Sequence, residues 1–163
     1  MLTCILRDTM KLIELRNSNF NYLRKQFPDW PEYVVRELVY NILKRSDDLD
    51  YEEHIQFIKK EFENITWQLE RIRITLGIFD EYTQAAIRSA IRGETSLSTV
   101  PNDDERHNTQ QRLIQLQGVS KEPIIAKDTP DGLLLYEGYH RTIQNLKAYP
   151  KGYVGPIYIG YSN

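Results

Sequence analysis

In Leu133-Leu134-Leu135-Tyr136-Glu137-Gly138-Tyr139-His140-Arg141-Thr142, a short apolar run ends in a glycine, and a polar, basic segment then opens what reads as a helix. A glycine at that junction fits a place where backbone closely approaches a ligand or another chain segment. His140 and Arg141 fall in the first helical turn, beside free N–H groups and the positive end of the helix dipole. A strand-to-helix turn of this kind is a natural phosphate cradle.

Working outward from that turn, the second part of the chain reads as a small mixed domain over residues 95–163. Glu94 to Asp104 is polar and turn-rich, a linker or bordering loop. Arg106 to Gln117 reads as a short helix carrying Leu113, Ile114 and Leu116 and stopping at Gly118. Pro123-Ile124-Ile125-Ala126 is strand-like, and Asp128-Thr129-Pro130-Asp131-Gly132 is strong turn chemistry, so this run and Leu133–Tyr136 should pair as a hairpin. A helix over Tyr139–Ala148 and a last strand over Val154–Ile159 complete the order helix, strand, strand, helix, strand.

Residues 1–94 read as a helical bundle, which makes the whole chain α+β. In Phe27-Pro28-Asp29-Trp30-Pro31-Glu32, Asp29 is placed to cap a new helix, Pro31 to sit in its first turn and Glu32 to complete a capping box. Val35, Leu38, Val39 and Ile42 then share one face, and Ser46-Asp47-Asp48 ends that helix. Asp50 and Glu53 repeat the cap spacing. Beyond them Ile55, Ile58, Phe62, Ile65, Leu69, Ile72 and Leu76 recur at steps of three and four, which predicts one long amphipathic helix. That seam suits a coiled coil, but a face buried against neighbouring helices is the favoured reading. Gly77 and Asp80 mark a break before a helix over Tyr82–Arg92, with Gly93 as its stop.

The chain's 163 residues, 40% hydrophobic and 27% charged, suit an ordinary globular protein with a real core. Its formal net charge of −2 gives no general pull toward nucleic acid or an anionic membrane. Cys4 is the one cysteine, which excludes an internal disulfide and fits a reducing cytoplasm. Arg7 and Asp8 follow Met1–Leu6 too soon for a signal peptide, and no apolar run approaches the roughly 20 residues that span a bilayer. A cytoplasmic protein with no membrane partner is expected. His54 lacks a second His or Cys at ligand spacing, and Asp47, Asp48, Asp50, Glu52 and Glu53 do not fit a cation loop.

With those residues in view, Leu97–Gly160 resembles the small domain shared by ParB-type partition proteins and sulfiredoxins. The arginine loop of that family is matched by Arg106, its glycine-ended helix by Gly118, and its Pro-Ile-Ile-Val strand by Pro123-Ile124-Ile125-Ala126. Its Gly-x-His-Arg turn, also seen in DGQHR-type proteins, is matched by Gly138-Tyr139-His140-Arg141. The resemblance implies nucleotide phosphate binding by the Gly138 turn and Arg141, with ATP or CTP as ligand, with or without magnesium; Tyr139, Thr142 and Arg106 are the further residues expected to bind it. Two departures carry meaning. Tyr139 stands where sulfiredoxins have their catalytic cysteine, so that chemistry should be absent. Gln144 replaces a small residue after the arginine. ParB partition proteins also carry a basic helix-turn-helix domain after this unit, which is not seen here, so a partition role is not expected.

The residues support roles of their own. Arg141 offers a permanently charged donor fork that matches phosphate oxygens. Glu137, at the strand end, is the best-placed general base or metal holder, and His140 is placed to donate to phosphate. Asp103, Asp104, Glu105 and Arg106 would face the same pocket if the fold brings their loop alongside. Against this stands a purely structural reading, in which His140 and Arg141 cap the sheet edge and pair with Glu137. Of eleven tyrosines, six fall between Tyr136 and Tyr161, and Tyr139 is the one expected to touch a ligand.

Three functions follow in order of preference. The first is a nucleotide-binding protein, as a phosphotransferase or nucleotidase acting through Glu137 and His140. The second is a non-enzymatic module that grips a protein partner through its helical part, as in mobile elements or phage defence. The third, DNA binding or nuclease action, would need Lys121, Lys127, Lys147 and Lys151 to gather on one face. Whether the chain is an enzyme stays open at this level.

Overall fold

The computed structural model describes residues 20–40, 43, 51–94 and 103–163, without the side chains of 51 and 103–107. Cys4, Ile42, the Ser46–Asp48 stop, Asp50 and most of the expected linker lie outside those residues. The chain divides into two units, Met1–Glu63 and Asn64–Asn163. The boundary expected at 94/95 therefore falls within the second unit.

The described residues of the first unit are helical. Residues 20–26 form one helix, and Glu32–Val34 opens a second that continues as a π-helical turn over Val35–Tyr40. A third, α1, spans Tyr51–Glu61. Asp29 does not cap the second helix: Pro31 stands at the cap position, with no side-chain hydrogen bond there. A proline ring already fixes the entry φ, so the turn forms without an Asp oxygen. Glu32, freed from the expected capping box, pairs with Arg36 one turn on. Phe27, Trp30 and Phe62 stack in sequence, with ring centroids 4.7 and 5.6 Å apart, and the second pair is edge-on. Leu23, Val34, Val35, Leu38, Val39, Ile55 and Ile58 are buried in this unit.

The largest correction concerns the long stripe. The helix stops at Glu61, and Ile65–Ile74 is a ten-residue β-strand, β1. Asn64, with φ 59°, is the hinge between them. Asparagine tolerates this left-handed conformation better than most residues, and it suits the position just past a helix end. Beyond it, Ile72 and Ile74 alternate with Arg71 and Arg73, a period of two that the three-four spacing of Ile65, Leu69, Ile72 and Leu76 conceals. Leu69, a member of the supposed seam, is 56% exposed.

After a 3₁₀ turn at Leu76–Ile78 the second unit runs α2 (Glu81–Ile91), α3 (Asp103–Gln117), β2 (Ile124–Thr129), β3 (Gly132–Glu137), α4 (Tyr139–Ala148) and β4 (Tyr153–Ser162). The helix–strand–strand–helix–strand order expected from sequence is present, with β1 and α2 added ahead of it. Asp80 caps α2, its carboxylate accepting from the Thr83 N–H at 2.8 Å.

The four strands form one mixed sheet in the order β1-β4-β2-β3. β2 and β3 make the expected antiparallel hairpin, with an irregularity at Ile125/Ala126. β4 runs parallel to β2 from Ile124↔Ile157 to Lys127↔Gly160, and antiparallel to β1 from Ile65↔Ser162 to Ile74↔Tyr153. One face of the sheet contributes Ile74, Ile124, Ala126, Leu135, Tyr153, Ile157 and Ile159 to a core shared with Phe79, Ile87, Ile143 and Leu146. The protein is thus α+β. Among the described residues, no helix is long and apolar enough to cross a membrane.

One glycine locks α2 to the hairpin. Gly132 has φ 121°, and a Cβ there would lie 2.9 Å from the Phe79 carbonyl carbon and 3.0 Å from the Asp80 nitrogen. That backbone is pinned, since the Asp80 N–H donates to the Leu133 carbonyl at 3.1 Å and Phe79 is buried. Gly132→Ala combines left-handed strain with overpacking against backbone. It should lower stability by about 2–4 kcal/mol in urea unfolding followed by circular dichroism.

Candidate functional site

The turn between β3 and α4 is built by a packing constraint. Gly138 stands at the N-cap of α4 with φ 98°, and a Cβ there would come within 2.6 Å of Ile124 Cγ2. The glycine is demanded by close approach to another chain segment, the start of β2. The Thr142 N–H then donates to the Gly138 carbonyl at 2.9 Å, closing the first helical turn.

α4 is buried along six consecutive residues, Arg141 to Leu146. Ile143 and Leu146 belong to the core, while polar residues fill the other directions. Asn145 is fully buried and ties the helix to its surroundings. Its amide donates to the Arg141 carbonyl at 2.8 Å, and its side-chain oxygen faces the Ser120 N–H at 3.4 Å.

Arg141 is the central group. It is 8% exposed, and its Nη1 donates to Glu122 Oε2 at 2.6 Å. The pair is lopsided, with side-chain exposures of 10% for the arginine and 67% for the glutamate. Nε and Nη2 are buried and meet no partner, and the same holds for the hydroxyls of Thr142 and Tyr153. These four atoms lack a protein partner of normal hydrogen-bond geometry, although the Thr142 and Tyr153 hydroxyls lie close to each other. Buried polar groups are nearly always satisfied, so such a set calls for an explanation. Nε and Nη2 form the side-on edge of the guanidinium, the edge that grips two oxygens of one anion.

Tyr153 belongs to the same neighbourhood. Burial pushes its phenol up to about 12, while the nearby Thr142 hydroxyl and Arg141 charge pull the other way. Neither hydroxyl attains a hydrogen bond of normal geometry. Tyr161, further along β4, also rises to about 12, chiefly because its hydroxyl donates to Glu70 at 2.6 Å.

The other expected residues are distributed as follows. Glu137 is the last residue of β3, paired across the hairpin with Ile125, and His140 is in the first turn of α4; both are half-buried. Tyr139 packs against the core. Burial raises its phenol, beside the Thr83 hydroxyl. That gives Tyr139 a packing role between α4 and α2. Arg106, expected in a loop with Asp103, Asp104 and Glu105, lies within α3, because the helix begins at Asp103. Its side chain is outside the described residues. Acidic residues suit a first helical turn, which explains the earlier start. Among the described residues, no three His, Cys, Asp or Glu side chains gather as a metal site.

Glu122 and Tyr153 were not singled out by sequence. Glu122 is far from Arg141 in the chain, and no motif spacing links them. Tyr153 was one of six C-terminal tyrosines with nothing to distinguish it. No family model, curated protein or solved structure matches the chain.

Tyr153 gives a test of this geometry. Tyr153→Phe removes a hydroxyl without a partner, so stability at neutral pH should be unchanged or raised by up to about 1 kcal/mol. At alkaline pH the sign is set by the raised phenol. The folded form resists losing that proton, so the stability linked to it is complete below pH 10 and disappears as pH rises toward 12. Alkaline unfolding should show the wild type losing about 2–3 kcal/mol more than Tyr153→Phe across that window.

Proposed function

We propose that the second unit is a ParB/sulfiredoxin-like domain that binds a nucleotide through its phosphates at the start of α4. One observation supports the reading: a nine-tenths buried arginine in the first turn of a helix has no protein hydrogen-bond partner on its side-on guanidinium edge. A phosphate is the right complement. It offers several acceptor oxygens, and the helix terminus adds free N–H groups and a favourable dipole. The element order α3-β2-β3-α4-β4 and the Gly138-Tyr139-His140-Arg141 turn support the family likeness.

In this reading, Arg141 holds the phosphate. Gly138 shapes the turn, and Thr142 and Tyr153 offer hydroxyl donors on its inner side. Tyr139 positions α4 from the core. ATP or CTP is the proposed class of ligand, with any magnesium carried on the phosphates. Should the site act as a phosphotransferase or nucleotidase, Glu137 and His140 are the residues at hand for proton transfer. The helical first unit is proposed to serve a protein partner, in a cytoplasmic setting.

Calorimetry with ATP, CTP and GTP in magnesium tests the proposal. The wild type should bind at least one of them saturably, and Arg141→Ala should weaken that binding by about 10²-fold or more, the scale of lost charge-assisted hydrogen bonds. Arg141→Lys keeps the charge and loses the fork, so it should fall between the two. A folded wild type that binds none of the three overturns the reading.

A further inference from the structure

We propose that Glu122 is a resident counter-ion that an incoming phosphate displaces from Arg141, so that the exchange of these two anions separates the empty and loaded forms of the site. This rests on the phosphate-binding reading above and adds how the site is held when empty and what the ligand must supply.

The lopsided pair carries the inference. The arginine is fixed in the interior, whereas the glutamate is two-thirds exposed and reaches in from the segment before β2. Returning a mostly solvated carboxylate to water costs little, because exposed ion pairs contribute at most about 1 kcal/mol. Withdrawing the arginine has no such outlet. Glu122 moves and Arg141 stays.

The contact is also incomplete. The bond between Nη1 and Oε2 leaves Nε and Nη2 unmatched, as are the Thr142 and Tyr153 hydroxyls. A carboxylate bound end-on neutralises the charge and leaves most of the donors empty. A phosphate group has the oxygens to take the side-on edge and a further donor together. It also carries more charge than the carboxylate it replaces. With both present, Glu122 would sit within a few ångströms of a second anion, and like charges at that range repel. Exchange, not addition, is the outcome that electrostatics favours.

The sign of one substitution separates this role from the alternative, in which Glu122 merely holds Arg141 in position. A resident competitor, once removed, leaves the ligand better bound. A positioning residue, once removed, leaves it worse bound. Glu122 is 67% exposed, but its loss leaves the buried Arg141 without an anion, so each variant is first shown to be folded by circular dichroism.

The experiment is calorimetric titration of the full chain with inorganic pyrophosphate, and with ATP in magnesium, for wild type, Glu122→Gln and Glu122→Ala. Both variants should bind both probes more tightly than wild type, by up to about fivefold, the scale of the exposed ion pair that no longer has to be broken. If the wild type binds and the folded variants bind equally or more weakly, the counter-ion role is overturned and the phosphate site stands. If the wild type and both variants bind neither probe, both fail together.

Discussion

The pairing of β4 on both its edges is the constraint on which the second unit depends. All ten of its residues pair with β1, while four of them, Ile157 to Gly160, pair in parallel with β2. A parallel neighbour cannot be reached by a tight turn, so the chain between β2 and β4 must cross over, and α4 is that crossover. The start of the crossover is where the glycine turn presses on Ile124, and its end feeds the strand that opens with Tyr153. The sheet thereby brings Arg141, Thr142 and Tyr153 into one neighbourhood, although nothing in their spacing requires it. Glycine also serves β4 itself: at position 160 its missing side chain makes room for the Trp67 ring of β1.

The second unit was legible in sequence wherever the signal was local. The hairpin followed from turn chemistry between two apolar runs, α4 from the break at Gly138, and the last strand, expected over 154–159, from the break at Pro150 and Gly152. β1 was illegible for a physical reason. Ile65, Leu69 and Ile72 fit a helical stripe, whereas a strand sends Ile65 and Ile72 to opposite faces, and the decision is made by Asn64 and by pairing with a strand almost ninety positions away. Once β1 is a strand, the unit boundary moves to it, because pairing with β4 commits those residues to the sheet.

The site was legible in the same partial way. Gly138 and Arg141 were readable from their place between strand and helix. The structural reason for Gly138 is contact with Ile124, and that contact fixes the turn whether or not a ligand is present. Glu122 was invisible because an ion pair between loop and helix leaves no periodic trace. Tyr139 and Arg106 illustrate the converse. A residue inside a motif can be spent on packing, and an arginine before a helix can belong to the helix, since acidic residues just ahead of it favour an earlier start.

The unfilled donors set the energetic character of the unit. Each buried polar atom without a partner costs about 1–3 kcal/mol, and more where charge is involved. A domain whose total stability is of the order of 5–15 kcal/mol does not carry several such atoms lightly. The Glu122 contact relieves part of this cost by giving the guanidinium an anion, but at one of its three nitrogens. A fold built only for stability would have an apolar side chain at 141, as it has at 143 and 146 on the same helix. A permanent charge there, beside two hydroxyls on separate elements, is only partly matched by protein groups. An anion that bound those donors would stabilise the folded form by RT ln(1 + L/Kd), where L is its free concentration. This partial matching, more than the motif itself, is the physical support for the proposed phosphate site.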